Sequence, residues 1–109
     1  MSEFSFMSGV PVSYDAREEC ARLARTFPTL RNAIGVSEGE YPDLARFDDW
    51  AAEQHPFDGV REAAQFVLHL FDAGRKWKCG AFNLRVAVTC WDAAHIAAFA
   101  AWAKNPIVF

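Results

Sequence analysis

The sequence predicts an all-α protein, a small bundle of four to five helices with an irregular N-terminal arm. Apolar residues recur at helical spacing through most of the chain, which is the primary signal of amphipathic helices. Residues that cap helices and prolines that end them stand at the borders of these segments. With 109 residues, 52% of them hydrophobic and 15% aromatic, the chain is expected to form one domain, residues 1–109, with its own core.

The first predicted helix follows an arm, residues 1–12, in which no period is visible. Ser13 is expected to cap this helix, and Pro28 is expected to end it. Its apolar positions follow a 3.6-residue period: Ala16, Cys20, Leu23, Ala24 and Phe27. Residues 28–41 contain proline, glycine and polar side chains, and they are the longest predicted loop.

The second predicted helix begins at Pro42, because proline suits a first helical position where its missing N–H is not needed. It is expected to close at His55 and Pro56, since the residue before a proline avoids helical geometry. Its apolar face consists of Leu44, Phe47, Trp50 and Ala51.

The third predicted helix has the clearest pattern, with Asp58 as its expected cap and Gly74 as its expected stop. One broad face is apolar: Val60, Ala63, Ala64, Val67, Leu68, Leu70 and Phe71. The opposite face is polar and is expected to meet solvent: Arg61, Glu62, Gln65, His69 and Asp72.

Two helices are predicted after the basic connector at residues 75–82. Asn83 is expected to cap a short element over residues 84–90, which contains β-branched residues and leaves a strand open as an alternative. A helix is favoured because a lone strand would have no partner. Asp92 is expected to cap the last helix, which Asn105 and Pro106 end.

The charge is uneven along the chain, although the net value is only −3. Residues 1–55 carry ten acids and five Lys or Arg, whereas residues 56–109 carry four acids and six Lys or Arg. Residues 38–53 form the most acidic stretch, and residues 75–78, with the sequence Arg-Lys-Trp-Lys, form the most basic one. This balance argues against nucleic acid as the main partner.

The last predicted helix holds the clearest pair of groups capable of chemistry, Asp92 and His95. On a helical wheel His95 lies on the same side as Ala98, Phe99 and Trp102. An Asp–His pair can act as a general base. A structural cap with a histidine satisfied inside an aromatic cluster is the favoured interpretation, because no motif places a nucleophile beside the pair.

The three cysteines and three histidines do not form a metal-binding pattern, since none of them occur as the close pairs that zinc sites use. No metal and no cofactor are expected. Cys79 stands among basic residues that would favour its thiolate, but an incidental cysteine is the favoured interpretation. The first residues lack a basic start and a long apolar run, so we expect no signal peptide, no membrane span and a cytoplasmic location.

The C-terminal part of the chain contains the pattern Trp-Asp-x-x-His-x-x-Ala-Phe-x-x-Trp, from Trp91 to Trp102. Together with Trp77, Gly80 and Phe82, this pattern resembles a C-terminal module of uncharacterised bacterial proteins. The resemblance implies a helical fold and a bacterial or mobile-element origin, and it implies no activity. The family usually ends in a more aromatic stretch than residues 107–109 of this chain.

The sequence favours a non-enzymatic protein that works through protein–protein contacts. Expected roles are a phage- or mobile-element-encoded inhibitor of a bacterial defence complex, or a regulatory subunit, and homo-oligomerisation stays open. The candidate partner-binding residues are the acids of the acidic stretch and the tryptophans, if exposed: Asp43, Asp48, Asp49, Glu53, Trp77, Trp91 and Trp102. The alternatives are a small enzyme that uses Asp92 and His95, and a single-strand nucleic-acid binder that uses residues 75–78.

Overall fold

A computed structural model describes residues 15–107 and 109, and within them the chain forms helices and no strand. The five α-helices are α1 (Ala16–Ala24), α2 (Leu44–Ala52), α3 (Val60–Phe71), α4 (Leu84–Cys90) and α5 (Ala93–Lys104), with a short 3-10 turn at Pro28–Leu30. The predicted all-α class is confirmed. The expected arm over residues 1–12 and the expected cap at Ser13 lie outside the described residues.

Helix α3 lies at the centre, and α1, α2, α4 and the 3-10 turn all pack against it. Its buried apolar side chains are Ala63, Ala64, Phe66, Val67 and Leu68. The two alanines are fully buried, and such small side chains let neighbouring helices approach closely. Each large apolar side chain buried in this way contributes about 1.5–3 kcal/mol to stability. The positions of α1, α2 and α4 are therefore defined mainly by α3.

Helices α1 and α2 each begin directly after an aspartate that caps the helix. Asp15 caps α1, and its carboxylate accepts a hydrogen bond from the backbone N–H of Arg17 at 2.9 Å. Asp43 caps α2 by accepting from the N–H of Arg46, so Pro42 precedes the helix instead of starting it. An aspartate is favoured at such a position because its carboxylate accepts a hydrogen bond from an otherwise unpaired amide of the first turn.

Helices α1 and α2 both end a few residues before the prolines that were expected to stop them. Helix α1 ends at Ala24. The chain then turns, and the backbone N–H groups of Thr26 and Phe27 donate to the carbonyls three residues before them. Helix α2 ends at Ala52, ahead of His55 and Pro56. Proline forbids continuation of a helix, but it does not fix the last helical residue.

The start of α3 is capped by Gly59, not by Asp58, and Glu62 reaches back over it. The two oxygens of Glu62 accept backbone N–H groups from Gly59 at 2.8 Å and Phe57 at 2.9 Å. Glu62 was expected to face solvent, yet it is only 3% exposed. The correction has a physical reason, because a carboxylate that accepts two amide hydrogen bonds can be buried without an unsatisfied charge.

The two C-terminal helices begin as the sequence predicts. Asn83 caps α4, and its side-chain oxygen accepts the N–H of Val86 at 3.2 Å. Residues 84–90 are helical, which confirms the favoured interpretation over a strand. Asp92 caps α5, and the helix ends at Lys104, directly before Asn105.

An aromatic cluster attaches α5 to the rest of the bundle, with Phe66 of α3 at its centre. The Phe66 ring makes edge-on contacts with Trp91, Phe99 and Trp102, with ring centroids 6.4, 5.3 and 5.0 Å apart. Edge-to-face pairs of this kind add about 0.5–1.5 kcal/mol each beyond the area they bury. The predicted stripe along the last helix is therefore its inward side.

Candidate functional site

Three polar side chains form a continuous chain of hydrogen bonds at the N-terminus of α5. The Asp92 carboxylate accepts from the backbone N–H of His95 at 2.9 Å and contacts the ring Nδ1 of His95 at 2.7 Å. The other ring nitrogen, Nε2, lies 2.7 Å from the hydroxyl of Thr29, in the 3-10 turn. Asp92 therefore caps the helix and orients His95 at the same time.

The charge of Asp92 indicates which atoms carry the protons in the hydrogen bonds between Asp92, His95 and Thr29. The hydrogen bond from the His95 ring, followed by that from the His95 backbone N–H, lowers the pKa of Asp92 below its ordinary value of 3.8. An ionised carboxylate only accepts hydrogen bonds, so Nδ1 of His95 carries a proton. In the neutral ring Nε2 is then an acceptor, and the hydroxyl of Thr29 donates to it.

The order hydroxyl, imidazole, carboxylate is the order of a hydrolase triad, with threonine in the nucleophile position. Thr29 is exposed, whereas His95 is only 5% exposed and lies against the rings of Phe27 and Trp91. Sequence reasoning found the Asp92–His95 pair and missed Thr29. Because Thr29 lies 66 residues before His95 and belongs to no motif, no signal in the sequence could have connected them.

Among the acids expected to bind a partner, Asp48 differs most from the prediction, because it is buried. It is only 6% exposed, and its two oxygens accept the backbone N–H groups of Lys78 and Cys79, each at 2.9 Å. The carboxylate holds the connector after α3 against α2 and offers little charge to a partner. A helical pattern cannot reveal this role, because the amides it binds lie about thirty residues further along the chain.

The other three acids of the expected set, Asp43, Asp49 and Glu53, either have a local structural role or are exposed to solvent. Asp43 is half-buried and serves as the cap of α2, while Glu53 is exposed at the other end of that helix. Asp49 is exposed and pairs with the ammonium of Lys78 at 2.7 Å. This hydrogen bond and the charge of Asp49 raise the pKa of Lys78. The structure leaves only Asp49 and Glu53 as exposed members of the expected set of acids.

Of the three tryptophans expected to contact a partner, only Trp102 is accessible at the surface. Trp77 is 8% exposed and donates its indole N–H to the carbonyl of Asp72 at 3.1 Å. Trp91 is 6% exposed and donates its indole N–H to the carbonyl of Gly59 at 3.0 Å. Trp77 and Trp91 therefore belong to the core, contrary to the expectation of contact residues. Trp102 is half-buried and keeps one side accessible.

The basic segment 75–78 does not present a stacking surface for nucleic acid. Trp77 points inward, and the guanidinium of Arg75 lies over its ring at 4.2 Å from the centroid. Lys78 is paired with Asp49. Lys76 is exposed, and among the described residues it has no hydrogen bond or ion pair. The ring of Trp77 is therefore not accessible to a nucleic-acid base.

The cysteines do not supply an activated thiolate. Burial raises the pKa of Cys20 to about 12, and burial together with the neighbouring Asp48 raises the pKa of Cys79 to about 12. The basic neighbours of Cys79 in sequence thus do not activate it, because its sulfur is fully buried. Within the described part of the chain, no three His, Cys, Asp or Glu side chains are grouped closely enough to hold a metal ion.

The outward side of α5 differs from every other helical surface of the described chain. Its exposed positions before Lys104 are all apolar: Ala93, Ala94, Ile96, Ala97, Ala100, Ala101 and Ala103. Every other helix exposes at least one charged or polar residue. The exposed positions are Arg17 and Arg22 of α1, Ala45, Arg46 and Asp49 of α2, His69 of α3, and Leu84, Arg85, Val88 and Thr89 of α4. Surface helices normally carry charged or polar residues on the solvent side, so this face is an exception.

A groove runs beside this face, between α1 and the C-terminal half of α5. Its volume is about 220 Å³, and it is lined by Leu23, Thr26, Ala98, Ala101, Trp102, Asn105 and Ile107. The lining is mostly apolar, with Trp102 as its largest side chain. Trp102 is thus the one expected contact tryptophan that the structure places at an open surface.

Comparisons with protein-family models, with curated proteins and with solved structures find no match to this chain. Among the described residues, no helix has the length and apolar composition that crossing a membrane requires. The resemblance of the C-terminal pattern to a bacterial module stays a prediction. Function must therefore be argued from the geometry of the molecule.

Proposed function

We propose that this protein is a non-enzymatic protein-binding module that docks the outer side of α5 onto a helix of another protein. The observation that carries the proposal is the apolar exterior of α5, which is uncharged at every exposed position from Ala93 to Ala103. A helix that is apolar all round is ordinarily covered on all sides. Contiguous exposed apolar surface of this kind is typical of interaction sites.

The residues of this face fit a helical occupant. Ala93, Ala97 and Ala100 are spaced by four and three residues, so they follow one line along the helix. Small side chains in such a line let a second helix pack at close range. The partner helix needs an apolar stripe, which is the helix-in-groove mode of recognition.

The groove beside Trp102 provides an anchor point for that partner. Its volume of about 220 Å³ is sufficient for one large apolar side chain, since an apolar cavity of about 150 Å³ accommodates benzene. Buried anchors of this kind supply most of the energy in protein interfaces. Helix α5 is only about 18 Å long, from its twelve residues at 1.5 Å each. The contact area is therefore modest, and we expect micromolar rather than nanomolar affinity.

The proposal covers two roles, which differ in the identity of the partner. One is a regulatory subunit of a larger assembly. The other is an inhibitor, encoded by a phage or mobile element, of a bacterial defence complex. Both need a compact domain with one exposed recognition helix, and both predict the same effect of changes on α5.

The test compares two alanine-to-glutamate variants. Ala97→Glu places a charge in the middle of the α5 face, and Ala45→Glu places the same charge on an exposed alanine of α2. Tagged wild-type protein and both variants are used to capture partners from lysate of the host, with quantitative mass spectrometry. We expect one protein to be captured by the wild type and by Ala45→Glu and lost with Ala97→Glu, while circular dichroism stays unchanged.

Three results would overturn the proposal. The first is retention of the captured protein by Ala97→Glu, because the α5 face would then not be the docking surface. The second is the failure of the wild type to capture any protein in a stoichiometric amount. The third is self-association in analytical ultracentrifugation that Ala97→Glu abolishes, since the occupant of the face would then be a second copy.

A second candidate function is supported by the hydrogen bonds from Thr29 to His95 and from His95 to Asp92, each 2.7 Å long. In this alternative Thr29 attacks an acyl carbonyl, Nε2 of His95 takes the hydroxyl proton, and the proton then passes to the leaving group before water releases the acyl group. Hydrolysis of p-nitrophenyl acetate by Thr29→Val tests it. Thr26→Val is the matched control, because Thr26 is also exposed and bonds only to a backbone carbonyl.

The enzyme alternative predicts loss of hydrolysis in Thr29→Val, normal hydrolysis in Thr26→Val, and an acetyl group on Thr29 in peptide mass spectra. Equal rates for the two variants would refute it. A wild-type rate no higher than that of buffer would refute it as well. The burial of His95, which limits the access of a substrate to its ring, makes this the second candidate.

A further inference from the structure

A cleft separate from α5 is lined by arginines from three different parts of the chain. Arg17 comes from the first turn of α1, Arg46 from the first turn of α2, and Arg75 from the connector after α3. The volume of the cleft is about 570 Å³. The other lining residues are Tyr41, Pro42, Asp43, Leu44, Ala45 and Phe71.

The charge of this lining is unbalanced. The guanidinium of Arg17 is paired with the carboxylate of Asp15, which lies 3.5 Å from its Nε. Within the lining itself, three guanidinium groups share the cleft with one carboxylate, that of Asp43. That carboxylate already accepts the backbone N–H of Arg46 as the cap of α2. Like charges brought together repel one another, and an anion bound between them removes the repulsion. The lining therefore favours a negatively charged ligand.

Two of the three guanidinium groups are held in place by aromatic rings. The guanidinium of Arg17 lies 5.1 Å from the centroid of the Tyr41 ring and donates to the Tyr41 hydroxyl. That of Arg75 lies 4.2 Å from the centroid of Trp77, which is itself fixed by its indole hydrogen bond. Stacking engages the face of a guanidinium and leaves its N–H donors at the edge of the group. Arg17 uses two of its five donors, on Tyr41 and Asp15, and keeps the others for a ligand. Arg17 and Arg75 are thus positioned before any ligand binds.

The shape and chemistry of the cleft indicate the class of anion. Arginine forks match the oxygens of phosphate, and the N-terminus of α2, whose residues Leu44 and Ala45 line the cleft, adds a partial positive charge. The volume lies within the range of about 300–1,000 Å³ that is typical of small-molecule sites, so it exceeds the need of inorganic phosphate. Tyr41 and Phe71 supply aromatic surface for a ring attached to the phosphate.

We propose that this cleft binds an organic phosphate of nucleotide size, with the phosphate held by Arg17, Arg46 and Arg75. A nucleoside monophosphate is the simplest compound of this class, with its base against Tyr41 and Phe71. This site is independent of the α5 surface, so it can exist whether or not the protein-binding proposal holds.

The test is isothermal titration calorimetry of the full chain with AMP, adenosine, inorganic phosphate and a ten-nucleotide oligo-dT. AMP is expected to bind most tightly, with an affinity that falls as salt is raised, because the attraction is largely electrostatic. Arg46→Ala is expected to weaken AMP binding by about tenfold or more, as for other lost charge-assisted hydrogen bonds. Arg75→Lys should also weaken it, since it keeps the charge and loses the fork. Arg85→Ala, on the exposed side of α4, should bind like the wild type.

Each other outcome overturns the proposal. No binding of AMP, or equal binding of AMP and adenosine, would show that the arginines do not hold a phosphate. Equal binding of AMP and inorganic phosphate would show that the organic part of the ligand contributes nothing to binding. Tighter binding of the oligonucleotide than of AMP would assign the surface to nucleic acid. Equal effects of Arg46→Ala and Arg85→Ala would place the binding elsewhere.

Discussion

Replacement of Asp48 by alanine is expected to destabilise the fold strongly, although the residue lies in a stretch that looks like a solvated acidic surface. The carboxylate accepts two backbone N–H groups at 2.9 Å, from Lys78 and Cys79, and is 6% exposed. Hydrogen bonds to charged groups contribute about 1.5–3 kcal/mol each. The amide of Lys78 is only partly buried and can be rehydrated, so we expect a total loss of about 3 kcal/mol rather than the full sum.

The neighbouring residue Asp49 provides the matched control. Its contact with the Lys78 ammonium is as short, at 2.7 Å, but both side chains are more than half exposed. Exposed ion pairs of this type contribute about 0–1 kcal/mol, so Asp49→Ala should change the free energy of unfolding very little. Two adjacent aspartates thus carry opposite predictions, and the difference comes from burial and from the backbone amides that Asp48 binds.

Urea unfolding followed by circular dichroism measures both variants, with the slope of the free energy against urea as a check on two-state behaviour. A loss of about 3 kcal/mol is a large part of the 5–15 kcal/mol that holds a typical domain together. The reasoning would be refuted if Asp48→Ala unfolded within about 0.5 kcal/mol of Asp49→Ala. Charge reversal at Asp48 is therefore a test of folding, and of these two aspartates only Asp49 can test an acidic docking surface.

Three further predictions use other features. Gly35→Ala should lower the free energy of unfolding by more than about 2 kcal/mol, because a Cβ there would lie 2.4 Å from a backbone oxygen. Gly39 has a similar φ but lies in open space, so Gly39→Ala should lower it less, and urea unfolding measures both. In the native protein, Ellman's reagent should modify only Cys90, slowly since its pKa is raised, and Cys90→Ser should abolish the reaction. The lowered pKa of Asp92 gives stability that is present above about pH 4 and lost on further acidification. In urea unfolding, the difference in free energy of unfolding between wild type and Asp92→Asn should therefore shrink towards about pH 3. A difference that stays constant with pH would contradict this.

The helices and their caps were largely predictable because the rules that govern them are local. Helix α3 and the inward stripe of α5 follow from apolar spacing within a dozen residues. The spacing over residues 84–90 left a strand open, and a helix was favoured there because a lone strand would have no partner. Asn83 and Asp92 cap helices as expected, since an N-cap residue bonds to amides two or three residues ahead. The errors at the other helix starts are small, because neighbouring polar residues compete for the same capping role.

The uses of the polar side chains were decided only by tertiary structure. Asp48 bonds to amides about thirty residues away, and Thr29 meets His95 across 66 residues. A wheel placed Glu62 in solvent, yet the chain before α3 folds back to cover it. Sequence spacing by itself determined where most of the helices lie and which side of α5 faces inward. Which charges are buried, which tryptophans remain accessible and which arginines converge depended on contacts between distant segments, and local periodicity carries no information about those contacts.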